Sequence, residues 1–472
     1  MKKVFAAVAV LILLVGAGLV ISIQYGVPKD LSDAKEPVFV GVTYCGECVE
    51  DAKLLIDRVK NCSNLFVLQS GTLQRDLESV NAVGDYAVEC GLYFLPYFGS
   101  HFSFPVIEWI EDAKTRWGTF FLGVYFNDEP AGKMLDDYVK FEDSTSGEVI
   151  TKTRYGDLVV EKPDGVVINY RINGVIHLFE PANYTGASYF TDTQSGAQGS
   201  SCVDLYATFY PNQTISIVES SLDYPSSGAI WVSSISYAQL LEMRPFTSET
   251  EISEKFYARN QESLDLLSQQ TTVFTSDYAL YWFDYQAGYD VVLSQIGWNN
   301  SFAQNIALTR GAANLQQKDW GAIITWKYDV PPYLDSGEQI LFQMRNAYGC
   351  GAKYIILFNY YGTTEDPYGT LQYEHFVALE SFWNELSANI LAYNSIRADV
   401  AFVLPKDYAC GMRWLDDRIW GTIPANETCQ KIWATLQTLL STHNLYLDII
   451  YDDPQYQYNN KYAQLIYWNQ TA

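Results

Sequence analysis

The chain has 472 residues, enough for two or three domains, with 36 Tyr, 24 Phe and 12 Trp against a charged fraction of only 18%. That composition excludes a disordered chain, which would be poor in apolar residues and rich in charge. The net charge of −25 repels polyanions at long range and so excludes nucleic acid as a partner.

Lys2 and Lys3 precede an uncharged stretch from Val4 to Ile23, long enough to span a bilayer. Basic residues stay inside, so the remainder is expected outside the cytoplasmic membrane, tethered by a signal anchor over residues 1–25 or secreted. Asn-x-Ser/Thr triplets beginning at Asn61, Asn183, Asn212, Asn299, Asn426 and Asn469 agree with export and glycosylation. So does the even set Cys45, Cys48, Cys62, Cys90, Cys202, Cys350, Cys410 and Cys429, from which some disulfides are expected.

Beyond a polar linker, strand-like and helix-like runs alternate. Strands are expected at Val38–Tyr44, Leu65–Gln69, Leu92–Tyr97 and Thr119–Phe126, with helices at Cys48–Val59, Leu77–Cys90 and Pro105–Arg116. From about Phe141 to Ser227 the rhythm changes to period-two alternation broken by Pro-Asp-Gly and Asn-Gly turns, an antiparallel β insertion. A helix around Thr250–Gln269 then leads to strands at Ala279–Phe283, Val291–Ile296, Ala322–Trp326 and Tyr354–Phe358, and a helix at His375–Leu391. Eight alternating strands imply an α/β fold, whose commonest closure is a (β/α)₈ TIM barrel, here over residues 37–395 with the β insertion (141–227) after the fourth strand; an open doubly wound sheet is the alternative. Residues 396–472 read as a small C-terminal α/β domain, with strands at Ala398–Leu404, Leu445–Tyr451 and Lys461–Trp468 and a helix at Glu427–Thr442.

In such a barrel the loops after the strands converge over one mouth, so function is sought there. The expected strand ends offer Tyr44 and Cys45, Gln69, Tyr97, Asn127-Asp128-Glu129, Asp284-Tyr285, Trp298, Lys327-Tyr328-Asp329, and Asn359-Tyr360. Aromatics stack on sugar rings, amides bind hydroxyls and carboxyls move protons, so this is the chemistry of a carbohydrate site. Trp282, Trp298, Trp326, Tyr328, Tyr360 and Tyr361 are the candidate sugar platforms, with Tyr44, Gln69, Asn127, Tyr285, Lys327 and Asn359 as further substrate contacts.

Phe126-Asn127-Asp128-Glu129-Pro130 resembles the fourth-strand ending of retaining barrel glycosidases, where an Asn precedes the Glu acid/base; here Asp128 intervenes. That resemblance implies Glu129 or Asp128 as the acid. The second carboxylate of those enzymes ends the seventh strand, where this chain has Thr325, Trp326 and Lys327, so Asp284, then Asp329, is the expected substitute. Val403-Leu404-Pro405 and Leu447-Asp448-Ile449-Ile450 are similar to strings in β-galactosidases, whose barrel is followed by an amidotransferase-like α/β domain. The resemblance is to surface-displayed proteins of this type. The loop Arg413-Trp414-Leu415-Asp416-Asp417 could reach back over the barrel.

Other chemistries fit less well. Cys45-Gly46-Glu47-Cys48 has dithiol spacing, but the alternation continues for eight units. His101, His177, His375 and His443 lack ligand spacing, and neither a phosphate loop nor a Gly-x-Ser-x-Gly elbow occurs. No metal or cofactor is expected. The alternative to a hydrolase is a non-catalytic glycan-binding or envelope protein on a degenerate barrel.

Overall fold

The computed structural model describes residues 38–470 apart from 100–103, 137–138, 143–148, 153–157, 162–166, 171–175, 180–203, 210–214, 222–223, 230–247, 299, 329, 362–365, 422 and 424. The anchor segment therefore lies outside the described residues, as do Cys202, Asn299 and Asp329. Among the described residues, no helix is long and apolar enough to cross a membrane.

Strands β1 (Phe39–Tyr44), β2 (Leu65–Leu68), β3 (Tyr93–Phe98) and β4 (Val124–Phe126) are followed by eight antiparallel strands, β5 (Val139–Glu142) to β12 (Tyr224–Ala229). The parallel series resumes with β13 (Val273–Asp277), β14 (Val291–Ile296), β15 (Asp319–Ile324) and β16 (Tyr354–Leu357). These eight parallel strands close into a barrel in the order β1-β16-β15-β14-β13-β4-β3-β2. Helices α1 (Val49–Val59), α2 (Leu77–Glu89), α3 (Val106–Trp117), α4 (Lys133–Asp136), α5 (Glu249–Ser268), α6 (Tyr281–Ala287), α7 (Phe302–Gln316), α8 (Gly337–Gly349) and α9 (Tyr373–Ser387) lie between or after them. Several start where a side chain satisfies the first free N–H groups. Asp76 accepts from the amides of Glu78 and Ser79 ahead of α2, and Ser301 from Gln304 in α7.

Alternate residues of each strand point inward, and the inner set is apolar. Phe39, Leu65, Val67, Leu95, Tyr125, Phe274, Val291, Leu293, Ile323, Tyr354 and Ile356 form one buried cluster. Each large side chain so buried contributes about 1.5–3 kcal/mol.

One strand expectation fails. The fifth barrel strand is Val273–Asp277, and the apolar run expected as a strand at Ala279–Phe283 enters α6 instead. Tyr281 to Tyr285 are all buried, and a short helix buried on every side presents the same continuous apolar run as a buried strand. The expected disulfides are also absent among the described residues, where Cys45, Cys48, Cys62, Cys90, Cys350, Cys410 and Cys429 are free thiols.

After the barrel, β17 (Val400–Leu404), β18 (Leu447–Tyr451) and β19 (Gln464–Tyr467) form a parallel sheet in the order β18-β17-β19, with α10 (Glu427–His443) between the first two. Helix α7 packs on this sheet so closely that a Cβ at Gly311 would meet the Ile449 carbonyl at 2.5 Å. Beside it, Arg310 Nε donates to Asp448 Oδ1 at 2.7 Å, and its other nitrogens bind the carbonyls of Ile396, Leu445 and Leu447.

Candidate functional site

The inward alternation carries on to the C-terminal ends of the strands and, in several, past them. Two residues beyond Val67, Leu95, Phe274, Leu293, Ile323 and Ile356 come Gln69, Tyr97, Ser276, Gln295, Thr325 and Phe358. All six line a cavity of ≈ 330 Å³ at the C-terminal mouth of the barrel, together with Cys45, Asp128, Glu129, Trp298, Ile323, Trp326 and Tyr360. Core therefore gives way to polar chemistry within one layer of side chains.

The loop after β4 carries the two carboxyls. Asn127 and Glu129 have φ of 58° and 56°, the left-handed region that non-glycine residues seldom occupy. Three contacts fix this path. The Asn127 side-chain oxygen accepts from the Asp128 amide at 2.9 Å, Glu129 N donates to the Ser276 carbonyl at 2.8 Å, and Lys133 Nζ donates to the Asp128 carbonyl at 2.7 Å. Behind the loop, Asp277 Oδ2 accepts from the amides of Ala131 and Gly132 at 3.0 and 2.8 Å. A Cβ at Gly132 would strike Asp277 Oδ1 at 2.2 Å, so glycine permits this approach.

The Asp128 carboxylate is clamped through one oxygen. Oδ1 accepts from the Tyr125 hydroxyl at 2.6 Å and the Ser276 hydroxyl at 2.9 Å. Gln69 and Gln295 donate to those two hydroxyls in turn. Gln295 also donates to Glu129 Oε1 at 2.8 Å, so the neighbouring carboxyls belong to one network. Lys133 approaches Glu129 Oε2 only to 3.7 Å. Burial and then the Asp128 charge push the Glu129 carboxyl up to about 8, with Lys133 and Gln295 offsetting only part of this. Glu129 thus holds its proton to a higher pH than an ordinary glutamate does.

The other potential nucleophiles are not activated. Burial drives the Cys45 thiol up to about 12, and burial with the Asp128 and Glu129 charges raises the Tyr97 hydroxyl. Across the mouth stands an aromatic wall. Trp298 and Trp326 are stacked with centroids 6.4 Å apart, Tyr360 lies 5.4 Å from Trp326, and Phe358 is stacked on Tyr360.

Of the residues expected at the site, Asp128, Glu129, Gln69, Trp298, Trp326 and Tyr360 meet at this cavity. Asp284 does not. It sits on α6 with no exposed surface, and no hydrogen bond of ordinary length reaches either carboxyl oxygen. Burial and the Asp277 charge hold its carboxyl well above the usual range. Trp282 and Tyr285 share its misplacement. The first packs on Tyr451 and Tyr456, and the second donates to the Asp319 carbonyl at the start of β15.

Tyr44, Asn127, Lys327, Tyr328 and Asn359 lie off the cavity wall. Tyr44 bonds Cys48, Lys327 lies 4.0 Å from Asp335, Tyr328 is exposed, and Asn359 accepts from Thr370. The Arg413–Asp417 loop reaches the barrel without lining the cavity: the Arg413 guanidinium lies 5.9 Å from the Tyr278 ring centroid, and Gln304 donates to the carbonyls of Gly411 and Met412 just ahead of the loop. Ser276 and Gln295 are the polar contributors that the strand-end reading missed. Extending the alternation past Leu293, and placing the fifth strand at Val273, would have found both.

No family model matches the sequence, and no curated protein does. Among solved structures the chain is similar to the alpha-L-fucosidase isoenzyme 2 from Paenibacillus thiaminolyticus, at 11% identity and a TM-score of 0.42, over 91% of this chain and 59% of that one. The chain thus spans less than two thirds of that protein's length. It is also similar to a truncated form of 3-deoxy-D-arabino-heptulosonate 7-phosphate synthase from Thermotoga maritima, at 9% identity and a TM-score of 0.31, over 77% of this chain and 92% of that one. Likeness at this level says nothing about activity. The α/β barrel itself rests on its closed ring of eight parallel strands.

Proposed function

We propose that the barrel mouth binds a sugar of an oligo- or polysaccharide and hydrolyses its glycosidic bond, with Glu129 donating a proton to the leaving oxygen. One observation carries this reading. Glu129 is held in a left-handed backbone, half-buried beside a second carboxylate, with its carboxyl raised to about 8, across from Trp298, Trp326 and Tyr360. A left-handed non-glycine residue costs about 1–2 kcal/mol, and a mere binding surface gains nothing from meeting that cost to display an acid. The stacked wall gives a pyranose ring an apolar face, while Gln69, Gln295 and Ser276 offer partners for its hydroxyls.

In this reading residues 1–25 tether the protein to the outer side of the cytoplasmic membrane, 37–395 form the catalytic unit, and 396–472 a supporting, amidotransferase-like unit. The support for the tether is the uncharged segment behind Lys2 and Lys3.

A second reading, a glycan binder without turnover, is favoured by one observation: among the described residues, no carboxyl other than Asp128 and Glu129 lines the cavity. Assay of the full chain against aryl and natural glycosides separates the two. Turnover in the wild type, lost in a folded Glu129→Gln protein for poor leaving groups and largely kept for dinitrophenyl leaving groups that need no acid, supports the hydrolase. Sugar binding with no turnover of any glycoside supports the binder.

A further inference from the structure

The two carboxyls of the cavity stand on one side of it. Both follow β4, and Ser276 of β13 and Gln295 of β14 tie them together. Diametrically across the strand order lies β16, which brings Phe358 and Tyr360, flanked by Thr325 and Trp326 after β15 and by Cys45 after β1. None of these is a carboxyl. A retaining glycosidase places its nucleophile on the face of the sugar opposite the acid, and an inverting one places a base there. Among the described residues this cavity supplies neither.

Asp128 has an unusual disposition for a nucleophile. Its Oδ1 is occupied by two hydroxyl donors, and among the described residues no hydrogen bond reaches Oδ2, although Asp128 lines the cavity. The free oxygen is an acceptor awaiting a donor from whatever the cavity binds. A neutral sugar that brings both an N–H for this oxygen and a nucleophile of its own meets both conditions.

Resting on the hydrolase reading, we propose that the sugar beside Glu129 carries a 2-acetamido group, whose carbonyl oxygen serves as the nucleophile and whose N–H is received by Asp128 Oδ2. Glu129 gives its proton to the leaving oxygen as the bond from C1 to that oxygen breaks and the acetamide oxygen bonds to C1. The product is a cyclic oxazolinium ion, whose positive charge faces Asp128. Water then adds to C1 from the vacated side and loses its proton to the Glu129 carboxylate. The bond from C1 to the acetamide oxygen opens, and the acetamide is restored. The net change is hydrolysis with retention at C1, and the acid is returned. The geometry demands a leaving group trans to the acetamido group, hence β-linked N-acetylglucosamine or N-acetylgalactosamine.

The test uses the full chain and 4-nitrophenyl β-glycosides of N-acetylglucosamine, N-acetylgalactosamine, glucose and galactose. The expected result is a kcat/KM at least about 100-fold higher for the 2-acetamido pair, with retained configuration. Competitive inhibition by the corresponding thiazoline, a stable analogue of the cyclic ion, is expected too. Asp128→Asn should lower kcat far more than it changes KM. Comparable turnover of the 2-hydroxy glycosides would overturn the proposal. So would covalent capture of a carboxyl by a 2-deoxy-2-fluoro glycoside, including Asp329, which lies outside the described residues.

Failure of the hydrolase reading looks different: no glycoside is turned over. Calorimetry of the wild type with the four free sugars then decides the ligand class. Preference for the N-acetyl sugars, lost in Asp128→Asn, supports it; equal binding, or none, overturns it.

Discussion

Two buried charged networks in this molecule are built from similar parts and reach opposite ends. Between α7 and the small sheet, Arg310 and Asp448 face each other with almost no exposure, and Tyr462 occupies the second Asp448 oxygen at 2.9 Å. Burial pulls Asp448 upward there, but the adjoining guanidinium, which cannot release its proton, opposes it. Behind the barrel mouth, Asp128, Glu129, Asp277 and Asp284 crowd together, and Lys133 stays 3.7 Å from the Glu129 carboxyl. Where the cation sits at hydrogen-bond distance, the carboxyl locks a helix onto the small sheet. Where it stands farther off, burial first of all raises Glu129, Asp277 and Asp284. The more distant cation is what makes the second cluster suited to chemistry.

The contrast is broken most severely at its structural end. Arg310→Ala leaves Asp448 buried without its cation and three carbonyls without donors, so a loss of about 3–5 kcal/mol is expected in chemical denaturation. A loss below about 1 kcal/mol would mean that the pair contributes little to joining barrel and sheet. At the other end, Glu129→Gln should lower turnover of glycosides with poor leaving groups by about 10²–10⁴-fold while the protein stays folded.

The sign of the pH dependence sharpens the comparison. Folded Glu129 keeps its proton up to about 8, whereas the unfolded chain loses it near 4.5, so folding takes up a proton between those values. This stabilisation is full below 4.5 and is lost as pH rises through about 8; Asp284, raised in the same direction, adds to the slope. Glu129→Gln should remove part of it, leaving the variant about 3–5 kcal/mol more stable than wild type above pH 8, by denaturant titration. A parallel pair of stability curves would contradict the assignment. The same titration predicts that kcat falls as pH rises through about 8. Smaller effects are expected from Trp326→Ala, about tenfold weaker sugar binding. Smallest of all is Asp284→Asn, within about 1 kcal/mol, since an amide of the same shape keeps the packing of this fully buried position.

The barrel was legible because its signals repeat: an apolar run, turn and amphipathic helix eight times over, each strand confirming the next. The exception, Ala279–Phe283, failed because a seven-residue helix enclosed on all sides has no polar face to display its period. Moving one strand then carried Asp284, Trp282 and Tyr285 to a mouth they never reach, and hid Ser276. Asp128 and Glu129 were legible as a pair, but their order of work was not. What distinguishes them is the left-handed turn at Glu129 and the hydroxyls converging on Asp128 from β4 and β13, neighbours that the sequence separates by about 150 positions. Long-range contacts of this kind leave no local trace.

The central claim is that Glu129 enters the reaction as a protonated acid. Difference infrared spectroscopy of wild type against Glu129→Gln reads this directly. A protonated carboxyl C=O band should be present at pH 7 and vanish with a midpoint near 8. A midpoint near the ordinary 4.5 would show a carboxylate at neutral pH, and the proton-donor role would fall.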